Sequence, residues 1–209
     1  MVRSLLFALT LLPFANTAVA DTETAIFAGG CFWCVESDFE KVQGVDEVVS
    51  GYTGGTTANP TYDTVKGSGH YEAAAITYDP DIVTYTQLLH AFFRSVDPTD
   101  AGGQFCDRGD SYRTAIFVSN PAERAAAETA KVNAQRDLGQ RIVTPILDAA
   151  TFYDAEDYHQ DYYKGENRVI TRRGVKVQSD AYAFYRNACG RDARVLELWG
   201  DAAPFAHQN

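Results

Sequence analysis

A short apolar run, Thr24-Ala25-Ile26-Phe27, leads into Gly29-Gly30 and then directly into Cys31. Behind Cys31, apolar positions at Cys34, Val35, Phe39 and Val42 recur near helical spacing. A strand that turns into a helix across two glycines has few ways to continue, because the glycines permit the sharp bend it needs. The spacing therefore predicts a helix that starts at Cys31. Unpaired N–H groups and the positive end of the helix dipole favour a thiolate there, and the thiolate is the nucleophilic form. Phe32 and Trp33 follow at once, where packing alone gives little reason for two large rings. An activated thiol beside an apolar pocket is the chemistry this stretch implies.

The opening residues bear on where that chemistry takes place. Met1-Val2-Arg3, an apolar run from Leu5 to Phe14 and the ending Ala18-Val19-Ala20 are the three parts of a secretory signal peptide. The run is shorter than the roughly 20 residues of a membrane-spanning helix. Residues 1–20 are expected to be removed, leaving residues 21–209 as one exported, periplasmic catalytic domain. A formal net charge of −10 repels nucleic acid and anionic lipid, so neither is an expected partner. Export also makes structural disulfides one reading of the 4 cysteines, Cys31, Cys34, Cys106 and Cys189. The close spacing of Cys31 and Cys34 suits an exchangeable redox pair better, since closing so short a loop stabilises little.

Along the chain, strands are predicted at Val45–Tyr52, His70–Tyr78, Tyr112–Val118 and Arg141–Leu147. Helices are predicted at Val83–Val96, Asn120–Leu138, Asp154–Lys164 and Ser179–Ala188. On its strand, Glu72 shares a face with His70, Ala74 and Ile76, an ionisable pair among apolar neighbours. The loop Ala101–Ser111 is glycine-rich and polar yet carries Phe105 and Cys106, and long loops of that kind are functional or disordered. Strands and helices mix without strict alternation, which predicts an α+β layer sandwich.

Six motifs appear in order: Gly30-Cys31-Phe32-Trp33-Cys34, Gly51-Tyr52-Thr53-Gly54-Gly55, Asn59-Pro60-Thr61-Tyr62, Gly69-His70-x-Glu72, Tyr78-Asp79-Pro80 and Asp107-x-Gly109-x-x-Tyr112-Arg113. Together they resemble the A-type peptide methionine sulfoxide reductases, over Ala25 to about Trp199. The resemblance implies thiol-dependent reduction of methionine-S-sulfoxide, free or in proteins, on an α+β fold of the ferredoxin-like kind, a two-layer α/β sandwich with a mixed sheet flanked by helices. It makes Cys31 the nucleophile, Phe32 and Trp33 the walls for the substrate methyl group, and Glu72, Tyr62 and Tyr112 the ligands of the sulfoxide oxygen. Asp107 then helps to bind substrate. No cofactor is implied; electrons come from an external dithiol such as a thioredoxin, and a monomer is expected.

The residue types suit the chemistry. A sulfoxide is a poor electrophile until its oxygen receives a proton, so the site needs an acid, neutral donors, a low-pKa thiol and an apolar cup. Burial of Glu72 on its strand face would raise its pKa toward protonation. His70, His90 and His159 read as structural histidines. Attack leaves Cys31 as a sulfenic acid that a second thiol condenses with. Cys34, one helical turn away, is the first candidate for that thiol, with Cys189 and Cys106 as alternatives. Many family members have glycine in place of Cys34, and Cys189 lacks the family's glycine-rich tail, so the choice stays open. Two rivals stand against this reading. One is a thioredoxin-like disulfide oxidoreductase using Cys31-x-x-Cys34, which lacks the proline such motifs prefer. The other is a zinc module of Cys31, Cys34, His70 and Cys106, whose spacing follows no usual pattern, so no metal is expected.

Overall fold

A computed structural model describes residues 21–206. The predicted signal peptide lies outside the described residues. Ten strands are named in chain order: β1 Glu23–Gly29, β2 Val45–Thr53, β3 Tyr71–Tyr78, β4 Gly103–Gln104, β5 Asp107–Arg108, β6 Thr114–Val118, β7 Ile146–Asp148, β8 Tyr153–Asp154, β9 Arg168–Thr171 and β10 Gly174–Val177. The α-helices are α1 Phe32–Phe39, α2 Tyr85–Phe93, α3 Pro121–Leu138, α4 Gln178–Ala188 and α5 Arg191–Trp199. One mixed sheet runs in the order β7-β6-β1-β3-β2-β8. Only the β6–β7 pair is parallel. Two small antiparallel pairs, β4–β5 and β9–β10, stand apart from it.

Alternation along β1 sorts the two faces of the sheet. Phe27 joins Ile76, Ile116, Leu88, Phe92 and Trp199 in a large core under the helices. Ala28, one residue on, joins Tyr71, Ala73 and Phe117 on the opposite face. Among the described residues the helices cover one face of the sheet, which gives the two-layer sandwich. Glu72 points to the helix-covered side with Ala74 and Ile76, because Tyr71 and Ala73 take the other. Local signals hold the flanking helices: Thr84 and Gln87 form a reciprocal capping box on α2, and Asn120 caps α3 ahead of Pro121.

Several predicted segments differ in the structure. Asp154–Lys164 is not a helix but short strand β8 followed by two 3₁₀ turns, Asp157–His159 and Tyr162–Lys164. Its polar groups bond across the fold instead of along a helix: Gln160 bridges Ser50 and Ala155, and Glu156 accepts from Tyr62 N–H and the Tyr52 hydroxyl. Of the predicted strand Arg141–Leu147, Ile146 and Leu147 alone join the sheet, at the start of β7, as Pro145 has no N–H for a ladder and only its carbonyl accepts, from Ile116 N–H. His70 precedes β3 rather than sharing its face with Glu72. Its Nδ1 accepts from Gly55 N–H and its Nε2 lies 2.8 Å from the Thr57 carbonyl, so the ring staples a loop. The β9–β10 hairpin and helix α5 carry no counterpart in the sequence reading.

Candidate active site

The turn between β1 and α1 sets the site. Gly30 has φ +85°, and a Cβ there would stand 2.5 Å from Gln104 Cβ, so both the conformation and the close approach require glycine. Cys31 is the N-cap of α1, yet its side chain makes no capping bond. The first helical N–H, of Phe32, instead donates to Glu72 Oε2 at 3.2 Å. Glu72 thus performs the capping that Cys31 does not, and the sulfur is not spent on the backbone.

Glu72 is 2% exposed. Burial, helped by the nearby Asp107, pushes its pKa up to about 8 against the opposing bond from Phe32 N–H. It is therefore protonated at neutral pH. With Oε2 committed to the backbone, the proton belongs on Oε1, which has no partner among the described residues. The hydroxyls of Tyr62 and Tyr112 lie 3.5 Å apart. Burial raises both, so each remains a neutral donor. Asp107, on β5, is also raised by burial, with Arg191 opposing.

Phe32 is 1% exposed and Trp33 partly buried, their ring centroids 6.2 Å apart. The Trp33 ring stacks on Tyr162 at 3.8 Å with only 5° between planes. His159 lies behind both, 4.9 Å from the Phe32 ring and 5.5 Å from Trp33, and also 4.9 Å from Tyr62. Burial lowers His159 to about 4, so it packs as a neutral ring. A rigid aromatic wall results.

Cys31 and Cys34 are free thiols, whereas Cys106 and Cys189 form a disulfide with each other. The two outer cysteines, carried as alternative partners for Cys31, are thus paired apart from it. The inner pair also corrects the expected ionisation. Cys31 is pushed well above the usual thiol range, first by its hydrogen bond to Cys34, then by burial and the nearby carboxyls of Glu72 and Asp107. Cys34 falls to about 7, first through the hydrogen bond from Cys31, against burial and with help from Arg191 and Arg186. The pair shares one proton, and Arg191 and Arg186 favour the anion on Cys34 against the opposing Asp38, while Glu72 and Asp107 disfavour it on Cys31. Arg186 is itself fixed by Asp38 at 2.7 Å and by Asp192, and Arg191 donates to the carbonyls of Gly29 and Ser95. Both arginines come from the C-terminal helices, and they lay outside the sequence reading because no motif marks them.

One cleft of about 670 Å³ gathers all seven predicted site residues, Cys31, Phe32, Trp33, Tyr62, Glu72, Asp107 and Tyr112, and is lined by all four cysteines. An apolar cup, a buried acid, two phenols and a thiol pair that shares a proton equip it to bind a small polar group on an apolar stem and reduce it with two electrons.

Comparison with known proteins agrees. The family described as Peptide methionine sulfoxide reductase matches residues 23–191. A Rhizobium meliloti protein named Peptide methionine sulfoxide reductase MsrA 2 is 47% identical over 197 residues, covering 94% of this chain and 93% of its own length. Among solved structures, reduced Mxr1 from Saccharomyces cerevisiae aligns with TM-score 0.66 and 29% identity over 71% of this chain and 90% of that one. Mxr1 solved in complex with Trx2 aligns with TM-score 0.51 and 24% identity over 69% of this chain and 90% of that one, a likeness of fold alone.

Proposed function

We propose, for a chain that belongs to the peptide methionine sulfoxide reductase family, that Cys31 is the attacking sulfur and Glu72 the acid in the thiol-dependent reduction of methionine sulfoxide. The observation that carries the assignment is the buried Glu72 carboxyl, its Oε1 left without a hydrogen-bond partner among the described residues, in the same cleft as a sulfur that caps nothing. The substrate methyl group seats against Phe32 and Trp33, where sulfur–aromatic contact contributes about 0.3–1.5 kcal/mol. Its oxygen then meets the Glu72 proton and the Tyr62 and Tyr112 hydroxyls, while Asp107 holds a polar part of the substrate. Glu72 protonates the oxygen as Cys34 takes the proton from Cys31, whose thiolate attacks the sulfoxide sulfur. The thioether departs and Cys31 is left as a sulfenic acid. Cys34, now a thiol one turn away, condenses with it, forming the Cys31–Cys34 disulfide and water. Cys34 is the resolving residue in this proposal because Cys106 and Cys189 already hold each other.

The cycle closes when an external dithiol reduces that disulfide, so the chemistry calls for a protein reductant rather than a prosthetic group or metal. The yeast protein's complex with Trx2 supports a thioredoxin in that role. Action on oxidised proteins as a monomer, and export through the Met1–Ala20 leader to the periplasm, belong to the same proposal. Isolation of a mature chain beginning at Asp21 from the periplasmic fraction tests the export.

The reduced protein is expected to consume methionine-S-sulfoxide with a dithiol and to spare the R epimer. Turnover of the R epimer alone would sink the assignment. Reduction of insulin disulfides at a comparable rate without any sulfoxide would favour a thioredoxin-like oxidoreductase instead.

A further inference from the structure

The hairpin β9–β10 and the neighbouring helix α4 gather much of the exposed apolar surface of the described residues. Ile170 is 90% exposed and Val175 60% exposed, and they face each other in register across the hairpin. Phe184 and Tyr185 on α4 are 39% and 40% exposed. A two-stranded hairpin is marginal by itself, and this one is anchored by Val169, which packs against the Tyr162–Tyr182 cluster. Residues of that size left in water around a poorly supported ribbon mark an interaction surface.

The charge of the hairpin points to the partner. Arg168, Arg172, Arg173 and Lys176 all lie between residues 168 and 177, a stretch with no acidic residue, in a chain with 28 Asp and Glu against 18 Lys and Arg. Arg173 stacks over Phe184 at 4.5 Å, tying the basic turn to the apolar helix face. Arg172 and Tyr185 line the cleft that holds Cys31 and Cys34, so the patch is continuous with the site. Oxidised protein segments differ in charge from one substrate to the next, and no fixed patch complements them all. The reductant is a single surface met at every turnover, and a fixed patch of one sign suits it.

We propose that the β9–β10 hairpin with the exposed face of α4 is the docking surface for a protein dithiol reductant whose surface around its thiols is acidic and apolar. The inference rests on the reading of Cys31 and Cys34 given above. Docked there, one partner thiolate opens the Cys31–Cys34 bond and forms a mixed disulfide, releasing one thiolate on this chain. The partner's second thiol displaces the other, so this chain regains two thiols and the partner leaves with one disulfide.

The test uses the triple variant Arg168→Glu, Arg173→Glu, Lys176→Glu and, separately, Ile170→Asp, each assayed with dithiothreitol and with purified bacterial thioredoxin. Unchanged turnover with dithiothreitol, with a KM for thioredoxin roughly tenfold higher and a flatter salt dependence, is the expected result. The double variant Arg168→Lys, Arg173→Lys, with Lys176 kept, should retain the thioredoxin KM of the unaltered protein, which separates charge from folding. An unchanged thioredoxin KM overturns the proposal. So does a raised KM for an oxidised acidic peptide under dithiothreitol, which would give the surface to substrate. Failure of the unaltered protein to reduce methionine sulfoxide even with dithiothreitol would instead strike the function proposed above.

Discussion

The two cysteine pairs share one cleft and are built in opposite ways. Cys31 and Cys34 lie on one turn at the start of α1, free, with Cys34 buried against Arg186 and Arg191. Cys106 and Cys189 are 83 residues apart in sequence and join the exposed β4–β5 loop to the end of α4. A bond within one helical turn removes little freedom from the unfolded chain, whereas one that closes a long loop removes a great deal. Position sorts the pairs by role: the inner one is free to exchange, and the outer one holds the loop that carries Asp107 against the C-terminal helices.

Cys31→Ser is the strongest way to break this contrast. Turnover should vanish while the melting temperature stays within a few degrees, since a serine hydroxyl fits the half-buried site of the thiol and the helix cap is made by Glu72, not by Cys31. Glu72→Gln comes next, lowering kcat by roughly 10²–10³ as an acid is replaced by a mere donor. The pH profile sharpens that result: with the thiol pair losing its proton near 7 and Glu72 near 8, activity should rise through the first value and fall through the second. The falling limb should disappear in the Gln variant. Glu72 is also raised in the folded state, so the fold binds its proton more tightly than the unfolded chain does. Stability should therefore decline from about pH 4.5 to about 8, and Glu72→Gln should flatten that decline in urea titrations.

Cys34→Ser should leave one sulfoxide reduced per enzyme, trap Cys31 as a sulfenic acid visible to dimedone, and slow thioredoxin-driven cycling by about tenfold or more. A Cys34→Ser protein that still forms an intramolecular bond to Cys31 would erase the division between the pairs. The smallest effect on chemistry belongs to the double variant Cys106→Ser, Cys189→Ser. It should lose about 4.5 kcal/mol of stability by the loop-closure argument and change kcat within a few-fold.

Local chemistry was legible in the chain. The strand, the two glycines and the helix behind Cys31 follow from apolar periodicity and backbone freedom, and they stand where expected. The face of Glu72 followed from alternation along β3. Asp154–Lys164 misled because its acids and tyrosines resemble a solvated helix face, yet Glu156 and Gln160 bond to residues some 94 and 110 positions away. His70 misled for a similar reason, its ring being spent on a loop backbone.

The sequence by itself determined the sulfur at a helix start, its aromatic neighbours and the strand that brings a carboxyl beneath it, since each depends on residues close along the chain. Tertiary structure alone decided which thiol carries the charge, which cysteines pair, and that Tyr162 and His159 wall the cup. Those outcomes depend on Arg186, Arg191, Cys189 and their neighbours arriving from the far end of the chain, and electrostatic and packing energies respond to distance in space, which spacing in sequence does not encode.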